Sequence, residues 1–422
     1  MDAGRSRRFL VLAAAAGLAA RLAFGLLYWT GKPMTHDEQE YLALARSLQD
    51  GRGLHYPPDH QTGTAPRFGR APGYPAFLAV IGTPPDPAAA PARVKIVQAI
   101  LGAVAVWMIG WIALLAAGAR AGVIAAWIAA FYPPLVWTPA YVFSESLFMP
   151  IALGCVMLLA AARTRADAER SPRAGGALTV AAGLIAGAAI LVRPAMIVFL
   201  PIAALWFVGR KKWSLALAFC VSAAAVVTPW TLRNAKEYGR FVLVASEGGV
   251  TFWTGNHPLA IGEGDLAANP QIKQAEVAFR EAHGGLTPEE LEPLYYRDAL
   301  AHIAGNFGWW LGLLGRKAFY TFVPIGPSYT LHSIPYRLGS TLPYLVLAPL
   351  ALIGFTRLVR RGGAATPLLL LAVAVVITAL IFFPQERFRI PVIDPTVIVC
   401  ASVVLAEHRS RGSRRAFSRA VA

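Results

Sequence analysis

The sequence predicts an all-α polytopic membrane protein, and three observations lead to that fold class. First, 56% of the 422 residues are hydrophobic and only 15% are charged, with a mean hydropathy of +0.51. A soluble domain carries roughly 25% charged residues. Second, apolar runs long enough to cross a bilayer recur along the chain. Third, arginines and lysines gather in the turns between those runs, as the positive-inside rule expects.

Ten apolar runs are the candidate transmembrane helices. The first run resembles a signal peptide, but it exceeds a typical signal-peptide core, so we expect an uncleaved span that Arg21 interrupts. In chain order, the predicted spans are residues 9–29, 95–117, 121–138, 145–162, 176–192, 195–209, 213–230, 340–356, 364–383 and 391–406.

Charge sorts the turns into two sides. Basic clusters precede the first span and occupy every second turn, and a basic tail covers residues 407–422. Because such clusters stay in the cytoplasm, both termini are predicted to be cytoplasmic. Residues 1–406 then form one membrane domain, with two large outer-face segments at about 30–94 and 231–339.

Two stretches of the second outer segment need separate interpretation. Residues 300–324 are apolar enough to suggest an eleventh span, but the Arg316–Lys317 pair and the aromatic cluster favour a helix in the membrane interface. The stretch SEGGVTFWTGNHP, residues 246–258, is predicted to be an outer loop that either stacks on a sugar ring or only turns.

The net charge of +16 does not indicate nucleic-acid binding, because the basic residues lie between apolar runs and form no basic-aromatic surface. Cys155, Cys220 and Cys400 all lie in apolar runs without paired spacing. Neither a disulfide framework nor a cysteine metal site is therefore expected.

The stretch MTHDEQEYLALARSLQDGRG, residues 34–53, follows directly on the first span. Thr35 followed by Glu38 is a capping-box pattern, so a helix is predicted to start at Thr35. Apolar residues then recur at helical spacing, which indicates an amphipathic helix on the outer membrane surface. The first turn presents Asp37 and Glu38, which either interact with the helix dipole or take part in chemistry.

An acidic pair soon after the first span resembles the GT-C superfamily of membrane glycosyltransferases, in particular its family-39-like group. That group includes protein O-mannosyltransferases and the aminoarabinose transferases of lipid A. The similarity covers about the first 400 residues and continues in family order through RAPGYPAFLAVIG (70–82), FSESLFMPIALG (143–154), LVRPAMIVFLP (191–201), TPWTLRN (228–234) and QERFRIPVIDP (385–395). It implies a GT-C-like fold whose two large outer-face loops bear interfacial helices.

The resemblance also implies a reaction. Such enzymes move a monosaccharide, a hexose or pentose, from a polyprenyl phosphate to an outer-face acceptor, with inversion at the anomeric carbon. It implies that Asp37 is the general base and that Glu38 either orients Asp37 or caps the helix. The implied location is the bacterial cytoplasmic (inner) membrane, with the active site facing the periplasm or cell exterior.

The leaving phosphate needs cationic donors, and the planar group of arginine can hold two phosphate oxygens. Tyr74 and Glu145 join the arginines of the outer face as predicted substrate-binding residues. There are alternatives to substrate binding. The arginines could snorkel to lipid phosphate or pair with acidic loop residues, and Glu145 could lie at a helix start behind Ser144. The arginine candidates are Arg67, Arg70, Arg193, Arg233, Arg387 and Arg389.

No cofactor and no metal site is predicted. His36, Asp37 and Glu38 are consecutive on a helix, so their side chains point in different directions. A divalent cation that bridges Asp37 and the phosphate stays an open alternative. The expected partners are the lipid bilayer, a polyprenyl-phosphate-linked sugar and an outer-face lipid, glycan or protein acceptor, with no nucleic acid. A membrane transporter and an outer-face polysaccharide ligase or polymerase are the other functions left open.

Overall fold

The computed structural model describes residues 3–55, 69–84, 87–167 and 172–421, which form an all-helical chain. In chain order, its α-helices are α1 (Ala3–Ala23), α2 (His36–Gln49), α3 (Gly73–Ile81), α4 (Ala92–Ala117), α5 (Ala119–Phe131), α6 (Pro133–Trp137), α7 (Glu145–Asp167), α8 (Pro172–Val192), α9 (Phe199–Val208), α10 (Trp213–Tyr238), α11 (Gly248–Asn256), α12 (Pro270–Ala282), α13 (Pro288–Gly305), α14 (Phe307–Phe322), α15 (Ile334–Arg361), α16 (Thr366–Ile381), α17 (Glu386–Arg389) and α18 (Ile393–Val421). A π-helical turn, Phe24–Tyr28, extends α1, and a 3-10 helix, Pro194–Val198, precedes α9.

Every predicted span contains a helix of the structure, although the lengths differ. Among the described residues, six helices are long and apolar enough to cross a membrane, and a seventh span results if α5 and the residues Pro133–Ala140 count as one helix bent by 61°. Pro194–Val208 and Thr366–Ile381 are shorter apolar helices. The membrane architecture is therefore confirmed, while the number of ten spans stays a prediction.

Arg21 lies within the first span, where a charge is costly. The carbonyls of Ala129 and Ala130, near the end of α5, have no N–H donor within the helix. The residues four positions on are Pro133 and Pro134, which lack an N–H. Arg21 donates to both carbonyls instead, at 3.3 Å from Nη2 and 3.2 Å from Nη1. This charge is therefore used to cap a broken helix.

The second segment that the sequence predicts to face outward, residues 231–339 and called the outer segment below, is mostly helical and has its own apolar core around Trp253, Leu291 and Tyr295. The prediction of a loop at 246–258 was wrong, because α11 occupies most of that range. Its glycines permit close packing: a Cβ on Gly249 would lie 2.5 Å from the carbonyl oxygen of Glu292 in α13. Helix-helix contact here overrides the low helix propensity of glycine.

Candidate functional site

The helix that follows the first span begins as the sequence predicts. Thr35 N donates to Glu38 Oε2 at 2.8 Å and Glu38 N donates to Thr35 Oγ1 at 3.4 Å, which completes the capping box. The other carboxylate oxygen of Glu38 accepts the backbone N–H of Val142 at 2.9 Å. Glu38 therefore makes the contacts of the helix-capping alternative and ties α2 to the segment before α7.

Asp37 and Glu40 lie three residues apart on α2, and Arg70 bridges them. Arg70 Nη2 lies 2.7 Å from Asp37 Oδ1, and Arg70 Nε donates to Glu40 Oε2 at 2.7 Å. The guanidinium also lies over the ring of Tyr41, 4.8 Å from its centre. From the second outer segment, Glu247 approaches Arg70 Nε at 3.8 Å.

Arg387, from the short helix α17, approaches Asp37 from the far end of the sequence. Its Nη2 donates to Asp37 Oδ2, the oxygen that Arg70 does not contact. Its guanidinium lies over the ring of Phe143 at 4.9 Å, and its Nε is 3.9 Å from Glu145 Oε1. Asp37 is thus held between two arginines that are more than 300 residues apart in sequence.

Glu145 continues the network of charges. It is the first residue of α7, is only 2% exposed and pairs with Arg193 Nη1 at 2.7 Å. Arg193 lies at the end of α8, before the 3-10 helix, and also donates to Ser144 Oγ at 3.0 Å. The result is one connected series of alternating charges, in the order Glu40, Arg70, Asp37, Arg387, Glu145 and Arg193.

The arginines dominate the protonation of Asp37. Burial alone raises the pKa of this carboxyl, but Arg387 and Arg70 outweigh burial and hold the pKa well below its usual range. Asp37 is therefore a carboxylate at neutral pH, which is the protonation state that a general base requires.

A cavity of about 650 Å³ adjoins this network. Arg70, Glu145, Arg193 and Arg387 line one part of it. Asp37 is not among the lining residues, but it pairs with two of them, Arg70 and Arg387. Carboxylates and tyrosines of the outer segment line another part: Glu247, Glu263, Glu292, Tyr296, Tyr320 and Tyr329. The third part is apolar and includes Phe148, Val192, Met196, Val198, Leu371, Val375 and Ala379.

The other predicted residues lie elsewhere. Tyr74 is fully buried, where its hydroxyl donates to Gln98 Oε1 at 2.7 Å, so it supports the packing beneath Tyr41 rather than lining the cavity. Arg233 is not among the lining residues, because α10 continues past the predicted end of its span and carries Arg233 against Trp230, 5.0 Å from the ring centre. Arg67 lies outside the described residues.

Arg389 differs from Arg387, two residues before it. It borders the cavity but is only 5% exposed, and its Nε lies 3.3 Å from Asp394 Oδ1. Its Nη2 donates to Ser340 Oγ at 3.1 Å, which links α17 to α15. Arg389 thus pairs with an acidic residue, as the pairing alternative proposed, but that residue lies on α18 rather than in a loop.

Sequence reasoning missed Glu40, Glu247 and Glu386. Glu40 was detectable, because i, i+3 spacing from Asp37 brings two carboxylates together on one helix. Glu247 and Glu386 enter the site only through tertiary packing. Glu386 accepts from Ser340 Oγ at 2.7 Å, and its burial raises the pKa of the carboxyl to about 7.

Within the ranges that the structure describes, His36, Asp37 and Glu40 form the one group whose spacing would suit a metal ion, since their ligand atoms lie within 4.8 Å of one another. The consecutive residues His36 and Asp37 therefore do come together, contrary to the sequence argument, whereas Glu38 points away and accepts the N–H of Val142. Arg70, however, donates to both Asp37 and Glu40, so a cation would have to displace its guanidinium. In this arrangement the donor set does not fit a resident ion, and a cation that bridges Asp37 and the phosphate stays the open alternative that it was.

No family model and no curated protein matches the sequence. The structure, however, is similar to the Archaeoglobus fulgidus oligosaccharyltransferase tethered with an acceptor peptide, with a TM-score of 0.60 and 17% identity over 96% of this chain and 49% of that one. The same archaeal enzyme, AglB, in complex with an inhibitory peptide and a dolichol-phosphate, gives a TM-score of 0.59 and 17% identity over 98% and 52%. The fold is GT-C-like.

The GT-C-like fold class predicted from the sequence is thus confirmed. The chain spans about half the length of these oligosaccharyltransferases. ArnT from Cupriavidus metallidurans bound to undecaprenyl phosphate is more distant, with a TM-score of 0.41 and 13% identity over 96% of this chain and 79% of that one. Membership of the family-39-like group stays a prediction.

Proposed function

We propose that this protein is an inverting glycosyltransferase that moves one sugar from a polyprenyl phosphate to an acceptor on the outer face of the bacterial cytoplasmic membrane. The observation that carries the proposal is the carboxylate of Asp37 held between Arg70 and Arg387 beside a cavity with an apolar part. The archaeal enzyme with the same fold has been solved with a dolichol-phosphate and with an acceptor peptide, and this supports a lipid-linked donor and an acceptor that share one site.

The cavity suits a lipid phosphate. Arg70, Arg193 and Arg387 lie where a phosphate could receive several charge-assisted hydrogen bonds. The apolar part runs between the 3-10 helix at 194–198 and α16, two segments of the membrane domain. A prenyl chain would remove apolar surface from water there, while its phosphate stays beside the arginines.

In the proposed reaction, Asp37 takes the proton of an acceptor hydroxyl as that oxygen bonds to the anomeric carbon. The bond between the anomeric carbon and the phosphate oxygen breaks at the same time, and polyprenyl phosphate leaves with the charge that the arginines stabilise. Arg387 pairs with Asp37 and also lines the cavity. A bound phosphate that draws Arg387 away from Asp37 would therefore raise the pKa of Asp37 and make it a stronger base.

The acceptor is proposed to enter from the side of the outer segment. That wall offers carboxylates and tyrosines, groups that hydrogen bond to hydroxyls and stack on sugar rings. Both termini are proposed to be cytoplasmic, as the distribution of positive charge predicts.

The test uses purified protein in liposomes with a panel of radiolabelled polyprenyl-phosphate monosaccharides and a membrane extract as acceptor. Transfer of label that is lost in Asp37→Asn would support the proposal and identify the donor. Transfer only from a lipid-linked oligosaccharide would instead favour the ligase or polymerase. Solute counter-flow without any lipid-linked donor would favour a transporter.

A further inference from the structure

Lys317 is a buried lysine that the proposed reaction does not use. It lies on α14 and is fully buried. Its Nζ donates to Asn256 Oδ1 at 3.0 Å and to the carbonyl oxygen of Leu380 at 3.0 Å. Within the described part of the chain, no carboxylate forms an ion pair with it.

Asn256, the last residue of α11, completes this contact. Its Nδ2 donates to the carbonyl of Ile381 at 2.9 Å and to that of Phe252 at 2.8 Å, and its Oδ1 also accepts from Trp310 Nε1 at 3.0 Å. Leu380 and Ile381 are the last two residues of α16, whose final carbonyls lack intrahelical partners. Two outer helices, α11 and α14, thus cap the end of one membrane helix.

The residues after α16 lead directly to Arg387. Phe382 packs against α11 so closely that a Cβ on Gly255 would lie 2.1 Å from the Phe382 carbonyl oxygen. Gly264 N then donates to the carbonyl of Pro384 at 3.2 Å. The outer segment therefore holds the short connection between α16 and α17 at several consecutive points.

Burial of a lysine has a substantial cost, since burial lowers the pKa of Lys317 to about 7. A cation beside the last carbonyls of a helix recovers part of that cost through the negative end of the helix dipole. Since Nζ contacts the Leu380 carbonyl directly and, through Asn256, lies beside that of Ile381, the geometry indicates that Lys317 stabilises the end of α16.

We propose that Lys317, with Asn256, is a positioning residue that fixes the segment 380–387 so that Arg387 reaches Asp37 and the cavity. The inference rests on the proposed function only where it assigns a lipid phosphate to Arg387. Loss of the Lys317 contacts would leave Arg387 chemically intact but no longer fixed in place.

The first experiment measures the dissociation constant of undecaprenyl phosphate for protein in nanodiscs. In the wild-type background, Lys317→Met is expected to weaken binding by about tenfold. In a protein that already carries Arg387→Gln, Lys317→Met should weaken binding no further, because the effects of coupled residues are not additive. Lys95→Met is the matched control: Lys95 is also buried and donates to two carbonyls at the end of a helix, those of Gly25 at 3.1 Å and Trp29 at 2.6 Å. It should leave binding unchanged.

The second experiment measures amide hydrogen exchange of residues 380–387 in the same variants and in Asn256→Ala, which covers the case in which Lys317→Met does not fold. Faster exchange confined to this segment is expected for Lys317→Met and Asn256→Ala, but not for Lys95→Met. Unchanged exchange there, or additive effects of Lys317→Met and Arg387→Gln on binding, would overturn the inference. If the wild type binds no undecaprenyl phosphate, the proposed donor fails, and the exchange data alone decide the positioning role.

Discussion

Replacement of Asp37 by asparagine preserves the size of the side chain but removes the charge between Arg70 and Arg387. An amide does not take up a proton at neutral pH, so the reaction loses its general base, which contributes about 10²- to 10⁴-fold in rate. At about 1.36 kcal/mol for each tenfold change, the loss is about 2.7 to 5.4 kcal/mol of transition-state stabilisation.

The geometry also predicts how the loss divides between kcat and KM. Without the Asp37 carboxylate, Arg70 keeps its contact with Glu40 at 2.7 Å, whereas Arg387 keeps Glu145 only at 3.9 Å. Arg387 is then more available to a phosphate. We therefore expect kcat to fall while the donor KM stays the same or decreases, the opposite of the result for a lost phosphate ligand.

Initial rates of label transfer in proteoliposomes, measured against donor concentration, give both constants. Asp50→Asn is a matched control, since Asp50 follows the same helix and also pairs with two arginines, Arg46 at 3.1 Å and Arg52 at 2.9 Å. It should retain the wild-type kcat. A wild-type kcat in Asp37→Asn, or a higher donor KM at unchanged kcat, would refute the assignment of the base.

Three further changes test other parts of the structure. Arg193→Ala should raise the donor KM at least about tenfold, because a hydrogen bond to a charged group contributes about 1.5 to 3 kcal/mol; an unchanged KM in the transfer assay would exclude Arg193 from phosphate binding. Burial raises the pKa of Glu386 from 4.5 to about 7, so its contribution to stability is fully present below about pH 4.5 and is lost as the pH rises through 7. Glu386→Gln should remove that pH dependence from melting temperatures recorded on both sides of pH 7, and a persistent slope would point to another group. In Gly354→Ala the new Cβ would lie 1.9 Å from the carbonyl oxygen of Cys400, which should lower the free energy of unfolding by about 1 to 3 kcal/mol; a wild-type denaturation curve would contradict the contact between α15 and α18.

Patterns within short segments of the sequence correctly predicted much of the helical structure. The capping box at Thr35 and Glu38 positioned α2 correctly, because both of its hydrogen bonds lie within four residues. Every predicted span contains a helix, because a helix must have about 20 consecutive apolar residues to cross a bilayer and such runs are visible in the sequence. The pairing of Glu40 with Asp37 was equally local, since i, i+3 spacing on one helix brings the two carboxylates together.

Other errors had a physical cause outside the local sequence. The glycines of α11 predict a loop by propensity, but they form a helix because α13 packs against them at a distance that a side chain would prevent. Arg387 and Arg389 share one motif, yet one contacts Asp37 and the other pairs with Asp394. Adjacent sequence context did not distinguish them, because successive side chains on a short helix point toward different neighbours.

By itself, the sequence determined that this chain is a helical membrane protein, where its long apolar helices lie and that Asp37 is in the first turn of the helix after the first span, because hydrophobic length and capping are properties of short segments. Only the tertiary structure decided which arginines surround Asp37, that Glu38 also accepts the N–H of Val142 and that Lys317 closes the end of α16. Those facts depend on contacts between residues tens to hundreds of positions apart, which packing of the helices brings together and no local pattern records.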